Sequence, residues 1–311
     1  MRSQKIILLS IFLLTFFYNA KAQQDAMYSQ YMFNTLAINP AYAGSRNVIS
    51  ATALHRNQWV GIAGAPETTT FSIDAPFNGK RMGVGFQAYS DKAGIIQNNG
   101  ALATYAYRLR MEKATLSFGM QAGVKQYRAN FTSVNLNQNN TFIDPAFSQN
   151  VDKILFDVGA GLYYNTDKFY LGLSAMDLLR NRFSSYQSAN FSLGSRQEVH
   201  FFLSGGVVFP LNDDFKLKPS GLLKAVKGAP LEGDINVTLW IKDVIAIGGQ
   251  YRTSADVAGM LEIQATPQIR IGYAYDYSTT QLRKYNSGSH EIMLRYEFGF
   301  NSSKFLSPRY F

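Results

Sequence analysis

The sequence has 311 residues, of which only 16% are charged, and it contains 23 Phe, 19 Tyr, 25 Gly and no Cys. The absence of Cys excludes disulfide staples and thiolate chemistry, so stability has to come from other sources. The formal net charge is +9 and falls to +6 without the three basic residues at positions 2, 5 and 21; the remaining basic residues are scattered, which argues against nucleic-acid binding.

The first 22 residues have the features of a secretory signal peptide. Arg2 and Lys5 form a basic start, residues 6–18 are mostly apolar, and residues 20–22 (Ala-Lys-Ala) form a small-x-small cleavage site. The mature chain is therefore expected to begin at Gln23, and because no Cys follows the cleavage site it is not a lipoprotein. No later apolar run approaches the roughly 20 residues of a membrane helix, so an exported chain this rich in aromatic residues is expected to be all-β.

Residues 23–47 precede the first predicted strand and combine aromatic residues with breakers of regular structure. The stretch FNTLAINPAYAGS contains Asn39-Pro40 and Gly44, which fit neither a helix nor a strand. The segment also carries four aromatic packing groups, Tyr28, Tyr31, Phe33 and Tyr42. Burial of each would contribute about 1.5–3 kcal/mol, so we expect an ordered segment; a frayed lead-in is the alternative.

From residue 48 onward the apolar pattern has a period of two. Phe118, Met120 and Val124, for example, alternate with the polar or small residues Gly119 and Gln121. Such runs approach the 9 to 11 or so residues that a tilted membrane strand needs. The fourteen predicted strands lie near residues 48–58, 67–76, 82–90, 100–109, 114–127, 154–164, 169–176, 198–209, 215–224, 232–241, 244–251, 255–264, 269–276 and 290–300.

Short and long connections alternate between these strands. The short connections are residues 77–81, 110–113, 165–168, 210–214, 242–243 and 265–268. The others are mostly longer, namely 59–66, 91–99, 128–153, 177–197, 225–231 and 277–289, with 252–254 as the exception. This alternation is typical of an outer-membrane barrel whose short turns and both termini are periplasmic. We therefore predict a transmembrane β-barrel over residues 48–300, embedded in outer-membrane lipid, with a periplasmic tail at 301–311.

A soluble β-sandwich is the alternative fold for such a pattern. A sandwich would have to bury every aromatic face, and it would need guarded edge strands that the sequence does not provide. A membrane barrel turns the apolar face to lipid, and its wet lumen accepts charged residues. The charged residues predicted to face the lumen are Arg108, Lys125, Asp157, Arg270, Glu291, Arg295 and Glu297.

About eight strands form a barrel filled by its own side chains, and about sixteen leave a channel. Fourteen lies between these values, and many inward positions are Gly, Ala or Ser, so another part of the chain has to fill the lumen. We expect residues 23–47 to form either a plug or a periplasmic docking segment. With the tail, they form a candidate partner-binding surface beneath the barrel: Tyr28, Tyr31, Phe33, Asn39, Pro40, Tyr42, Gly44, Pro308, Arg309, Tyr310 and Phe311.

The sequence offers no chemistry typical of an enzyme. Its only histidines, His55, His200 and His290, do not have the spacing of a metal site. Ser289 and His290 are adjacent, so their side chains should point to opposite faces of a strand, which is unsuitable for a catalytic dyad. His200 and Ser204 share a strand face, a coincidence at this spacing. We predict no catalytic residues, no metal and no cofactor.

Two stretches resemble the start of the PorP/SprF family, outer-membrane proteins of the type IX secretion and gliding machinery of Bacteroidetes. They are QYMFNTLAINPAYAGS and ALHRNQWVGIAGAPETTTFSIDAPF, and the closing SPRYF after EFGF also fits. The resemblance implies a non-enzymatic component needed for secretion or surface retention of a cargo protein such as an adhesin. It also implies periplasmic partners, such as a peptidoglycan-binding protein and the lipoprotein ring of the motor complex.

The resemblance, which implies a secreted cargo, and the barrel plan, which also suits a pore, leave two functional alternatives. The longest connections, 128–153 and 177–197, are where cargo binding is expected, because long loops on a rigid barrel usually carry binding. The rival is a plugged transporter or a porin for hydrophobic or small solutes. In that case Lys216, Lys218, Arg270 and Arg295 would line a solute path. Otherwise these residues pair in a structural network with Asp74, Asp157, Glu262 and Glu297.

Overall fold

The computed structural model describes residues 27–133, 149–188, 191–253 and 255–298. The predicted signal peptide and the tail at 301–311 lie outside these residues. The strands, numbered along the chain, are β1 (Ile49–Asn57), β2 (Glu67–Phe77), β3 (Met82–Ala93), β4 (Ile96–Arg110), β5 (Thr115–Ala129), β6 (Val151–Asn165), β7 (Phe169–Met176), β8 (Arg182–Ser188), β9 (Phe191–Arg196), β10 (His200–Val207), β11 (Phe209–Pro210), β12 (Phe215–Val226), β13 (Glu232–Ile241), β14 (Ile245–Arg252), β15 (Asp256–Gln264), β16 (Ile269–Ser278) and β17 (Ser289–Phe298).

Fourteen of these strands close into one antiparallel barrel, and each corresponds to a predicted strand. Neighbours along the chain pair in sequence, β10 joins β7 to β12, and the seam closes between β1 and β17. At the seam, Ile49 lies opposite Phe298 and Asn57 lies opposite His290. The two-residue β11 extends the wall beside β12, and β8 and β9 form a separate hairpin. The predicted membrane barrel is therefore confirmed.

The connections at one end of the barrel differ from the prediction. Residues 91–99 were expected to form a long connection, but β3 and β4 continue through them and leave only residues 94 and 95 between the strands. Residues 177–197 contain the β8–β9 hairpin. A strand that extends beyond the lipid needs no apolar face there, so period-two patterning cannot detect these extensions. We call this end the long-connection end, and we call the end with the tight turns the short-connection end.

The two faces of each strand separate apolar from polar residues as predicted. On β5 the outward Phe118 is 45% exposed, whereas the inward Gln121 is 3% exposed and Ser117 is fully buried. The charged residues predicted to face the lumen lie inside, and most of them are buried. An apolar outside and a charged inside are the reverse of a soluble sandwich, so the sandwich alternative is excluded.

Phe118→Arg is expected to impair barrel assembly, because a lipid-facing Arg near the bilayer midplane costs about 2–4 kcal/mol. The matched control is Gln121→Arg on the same strand, whose side chain borders a cavity inside the barrel. Assembly is measured by the shift in electrophoretic mobility between unheated and heated outer-membrane samples. Equal loss of the folded band in both variants would contradict the assigned faces.

The first described residues, 27–47, lie inside the barrel. They form three 3₁₀ turns, Tyr31–Phe33, Thr35–Ala37 and Pro40–Tyr42, and almost every residue is buried. None of the helices among the described residues is long and apolar enough to cross a membrane. The third turn follows from its sequence: the Asn39 side chain accepts a hydrogen bond from the Ala41 N–H, and proline occupies the first position.

This N-terminal segment runs along the lumen from one end to the other. Gly44 has a φ of +72° and packs against the backbone of Ala75 and Pro76, beside a tight turn of the short-connection end. Met27 borders a cavity at the long-connection end. Residue 27 and the end of β17 at residue 298 therefore lie at opposite ends of the barrel. The tail at 301–311 lies outside the described residues, so the expectation that the two chain ends lie together beneath the barrel stays a prediction.

Candidate functional site

Four inward glycines let the N-terminal segment approach the barrel wall closely. A Cβ on Gly83 or Gly119 would come within 3.0 Å of the segment's backbone, at Ala43 and Ala41 respectively. A Cβ on Gly161 or Gly272 would meet the side chains of Asn39 and Gln30 at a similarly forbidden distance. We call these four residues the glycine track, because they leave room for the segment to cross the lumen.

A buried ion cluster holds the start of the segment against the last strand. The Glu291 carboxylate accepts hydrogen bonds from the backbone N–H groups of Ser29 (2.9 Å) and Gln30 (2.8 Å). Arg56 Nη1 lies 3.1 Å from Glu291 and 2.5 Å from Asp276, and the Ser29 hydroxyl donates to Asp276 at 2.7 Å. The three charged residues are at most 1% exposed, namely Arg56, Asp276 and Glu291. Because water does not solvate them, each buried charge is stabilised by its opposite charges in the cluster.

Further contacts attach the segment to several other strands. The Asn236 amide on β13 donates to the Tyr31 hydroxyl at 2.6 Å, and Asn39 donates to the Leu162 carbonyl on β6 at 2.9 Å. Burial raises the pKa of Tyr31, which keeps its hydroxyl neutral. On β7 the Ser174 hydroxyl donates to the Ile38 carbonyl at 2.5 Å. The segment is thus hydrogen-bonded to strands on different sides of the barrel.

The segment leaves the lumen at the short-connection end through a second polar group. The Gly44 N–H donates to Asp74 at 2.8 Å, and Arg108 donates to the Gly44 carbonyl at 2.6 Å. Arg46 lies 2.9 Å from Glu297 on β17. Burial opposes the charge of Arg46, but its interactions with Tyr42 and Glu297 outweigh that cost and raise its pKa. Both ends of the segment are therefore fastened to β17.

The residues predicted to bind partners fall into two groups. The segment residues of this set are all buried in the lumen, namely Tyr28, Tyr31, Phe33, Asn39, Pro40, Tyr42 and Gly44. Seated in this way, they contact the chain's own strands. Pro308, Arg309, Tyr310 and Phe311 lie outside the described residues. The prediction from sequence located the aromatic packing groups but missed the glycine track and Arg56.

A cavity of about 110 Å³ opens at the long-connection end between the segment and the wall. Tyr28 and Ile38 of the segment form one side, and the wall includes the apolar side chains of Leu102, Met176 and Phe202. Phe183 of the β8–β9 hairpin stacks on Tyr127 at a centroid distance of 4.4 Å. Gln121, which also lines the cavity, has a buried Oε1 atom without a hydrogen-bond partner among the described residues. This mouth cavity is therefore built jointly by the segment, the wall and the hairpin.

Charged residues lie beside the mouth cavity. The Asp177 carboxylate contacts Lys125, accepts from the Gln197 amide at 2.5 Å, and lies 3.0 Å from His200 Nδ1. Lys125 also lies 3.1 Å from the fully buried Asp157. His200 is thus engaged by a carboxylate that supports the hairpin connection. No group of three potential metal ligands is found in the described part of the chain.

The adjacent Ser289 and His290 point to opposite faces of β17, as predicted. Ser289 is buried and accepts a hydrogen bond from the Trp59 N–H at 3.1 Å. His290 lies 2.7 Å from the Tyr273 hydroxyl on the outer side of the wall. The two side chains therefore do not form a dyad.

The charged residues of the lumen pair with one another to a large extent. Arg270 lies 2.7 Å from Glu262, in agreement with the predicted network. Lys216 pairs with Asp243 at 2.6 Å, a carboxylate outside the predicted network. Together with the seated segment, these pairs favour the structural network over an open path lined by free charges.

The fold is similar to solved outer-membrane proteins at low sequence identity. The match to a Pseudomonas aeruginosa FadL homologue has a TM-score of 0.52 and 13% identity, and it covers 91% of this chain and 96% of that one. Acinetobacter baumannii Omp33 matches with a TM-score of 0.46 and 8% identity over 81% and 99% of the two chains. The Ralstonia pickettii toluene transporter TbuX matches with a TM-score of 0.46 and 8% identity over 87% and 93%.

No curated protein matches the sequence. A family model described as type IX secretion system membrane protein PorP/SprF matches residues 20–296, which span most of the sequence and all fourteen barrel strands apart from the last residues of β17. The resemblance identified from the N-terminal stretches is thereby confirmed, and the barrel is placed in the outer membrane. The chain belongs to the PorP/SprF family of type IX secretion system membrane proteins.

Proposed function

We propose that this protein is a non-enzymatic scaffold of the type IX secretion system that retains a secreted cargo, such as an adhesin, at the long-connection end. The observation that carries the proposal is the mouth cavity, which is closed below by the seated segment and flanked by the β8–β9 hairpin. A closed lumen suits a scaffold better than a conduit. In this proposal the long-connection end faces outward, and the short-connection end contacts periplasmic partners of the secretion system.

The hairpin is the element most suited to hold cargo. It is anchored below by the Asp177 cluster and by a hydrogen bond from the Gln197 N–H to the Asn181 carbonyl (2.8 Å), while Phe183 packs on Tyr127. A hairpin fixed at its base presents the strands above it in a defined orientation. This arrangement fits recognition of a folded or extended polypeptide.

Replacing residues 183–195 by a two-residue turn is expected to leave the barrel assembled and to abolish surface retention of the cargo. The anchors at Asp177 and Gln197 remain, so the wall should keep its stability. Cargo is measured by mass spectrometry of proteins shed into the medium and of proteins that co-purify with the barrel. The control shortens the connection between β16 and β17 on the other side of the barrel. Wild-type cargo retention in the hairpin variant would refute the proposal.

A second candidate is uptake of a small apolar solute, which the apolar part of the mouth cavity favours. The solute would have to pass the segment, which is hydrogen-bonded along its length. Faster uptake of a radiolabelled aromatic hydrocarbon by cells carrying the protein, with cargo retention unaffected by hairpin removal, would favour this candidate over the first.

A further inference from the structure

Four cationic side chains meet in the lumen near the short-connection end. Lys218, Arg270 and Arg295 project inward from β12, β16 and β17, and Arg46 comes from the N-terminal segment. Each is at most 6% exposed. The charge of Lys218 interacts with those of all three arginines, so the four groups form one cluster. We call them the basic chamber.

Two of the arginines have carboxylate partners and one does not. Arg46 lies 2.9 Å from Glu297, and Arg270 lies 2.7 Å from Glu262. Among the residues that the structure describes, the guanidinium of Arg295 donates only to the Thr52 hydroxyl at 3.3 Å and to the Met293 sulfur at 3.9 Å. Within the described residues no carboxylate lies within 4.0 Å of Arg295, although its side chain is only 2% exposed. Several of the N–H donors of Arg295 therefore have no acceptor in the described part of the chain.

The backbone register brings like charges together in this chamber. Arg270 and Arg295 are direct partners in the pairing of β16 with β17, an arrangement that is destabilising for two charges of the same sign. Asp74 interacts with both Arg46 and Arg295, but its carboxylate accepts the Gly44 N–H. Glu262 and Glu297 are paired with Arg270 and Arg46, so Arg295 has no carboxylate of its own in the described part of the chain. A buried charge without a counter-charge is costly.

We propose that the basic chamber binds a small oxyanion of the phosphate class, held by Arg295 with Arg270 and Arg46. Each guanidinium group presents a planar pair of N–H donors, and this pair can bind two oxygens of such an anion at once. Chloride is a single atom and cannot form this two-point contact. The anion bridges β16 and β17 to Arg46 of the N-terminal segment. Its binding therefore stabilises the seated segment and the seam-forming strand β17 together.

The experiment uses the mature full-length protein in detergent, titrated with sodium phosphate against sodium chloride at matched ionic strength. Phosphate is expected to raise the midpoint of thermal unfolding saturably, by several degrees, because a ligand that binds only the folded state stabilises it. Chloride is expected to give no saturable shift. Isothermal titration calorimetry with phosphate gives the affinity directly.

Arg295→Gln is expected to weaken phosphate binding at least tenfold, and Arg46→Gln should weaken it as well. The control is Arg128→Gln at the exposed Arg128–Asp152 pair, which should bind phosphate like the wild type. Equal phosphate shifts in the wild type and Arg295→Gln would overturn the proposal. No phosphate shift in the wild type would also overturn it. Equal shifts with chloride would overturn the oxyanion assignment.

Discussion

Replacing Gly119 by leucine is expected to expel the N-terminal segment and to open the barrel to ions. A Cβ at Gly119 would lie within 3.0 Å of the backbone of Pro40 and Ala41, and backbone cannot rotate away as a flexible side chain can. The third turn of the segment could then no longer pack against β5, and it would lose the hydrogen bond by which Asn39 caps it. Planar-bilayer recordings should show a stable conductance in the variant and none in the wild type.

The matched control for this prediction is Gly259→Leu on β15. Gly259 faces lipid, and a Cβ there meets no atom within 4 Å, so the added side chain should leave the lumen closed. Both variants are first checked for assembly by heat-dependent electrophoretic mobility. An assembled Gly119→Leu barrel that remains silent would show that the segment is not the element that closes the lumen.

Glu291→Ala is expected to produce a large loss of stability, because it breaks the buried ion cluster. Among the described residues, the change leaves Asp276 as the one carboxylate paired with Arg56, and it removes the acceptor for two backbone N–H groups of the segment. Breaking a buried ion pair by removing one partner costs about 3–5 kcal/mol, because the remaining charge stays buried. Urea unfolding in detergent or lipid should show this decrease in the free energy of unfolding relative to the wild type. Proteolysis of the segment should also be faster in the variant.

The control for Glu291 is Glu67→Ala on the outer part of β2. Glu67 lies 3.9 Å from His55, and both side chains are about half exposed. Surface pairs of this kind contribute about 0–1 kcal/mol, so the substitution should be nearly neutral. If Glu291→Ala were equally mild, the buried cluster would not be what holds the segment in place.

The strands of the barrel were predictable because lipid on one side and water on the other impose a period of two. On β5, Phe118 and Gln121 follow this rule, and the fourteen-strand count follows from repeating it along the chain. The rule ends where the lipid ends. The extensions of β3 and β4 and the β8–β9 hairpin lie beyond it, since their backbone pairing there requires no apolar face.

The aromatic residues of the N-terminal segment predicted that it would be ordered, but not its path. Its course is set by residues far along the chain, such as Asn236 for Tyr31 and Glu291 for Ser29. The inward glycines were interpreted as positions that leave the lumen unfilled. Gly119 and Gly83 instead make room for a backbone, a role that becomes visible only once the partner at that position is known.

The contacts between the segment and β17 restrict the order in which the barrel can assemble. Hydrogen bonds from Ser29 and Gln30 to Glu291 join positions that are more than 260 residues apart, and closing so long a loop is slow and entropically costly. The N-terminal segment is synthesised before every strand of the barrel, yet it cannot settle until the last strand has arrived. A chain that ends before β17 lacks the strand that closes the seam, and it also lacks Glu291 and Glu297, which fasten the segment. Closure of the wall and filling of the lumen are consequently one cooperative event, and an incomplete chain fails at both.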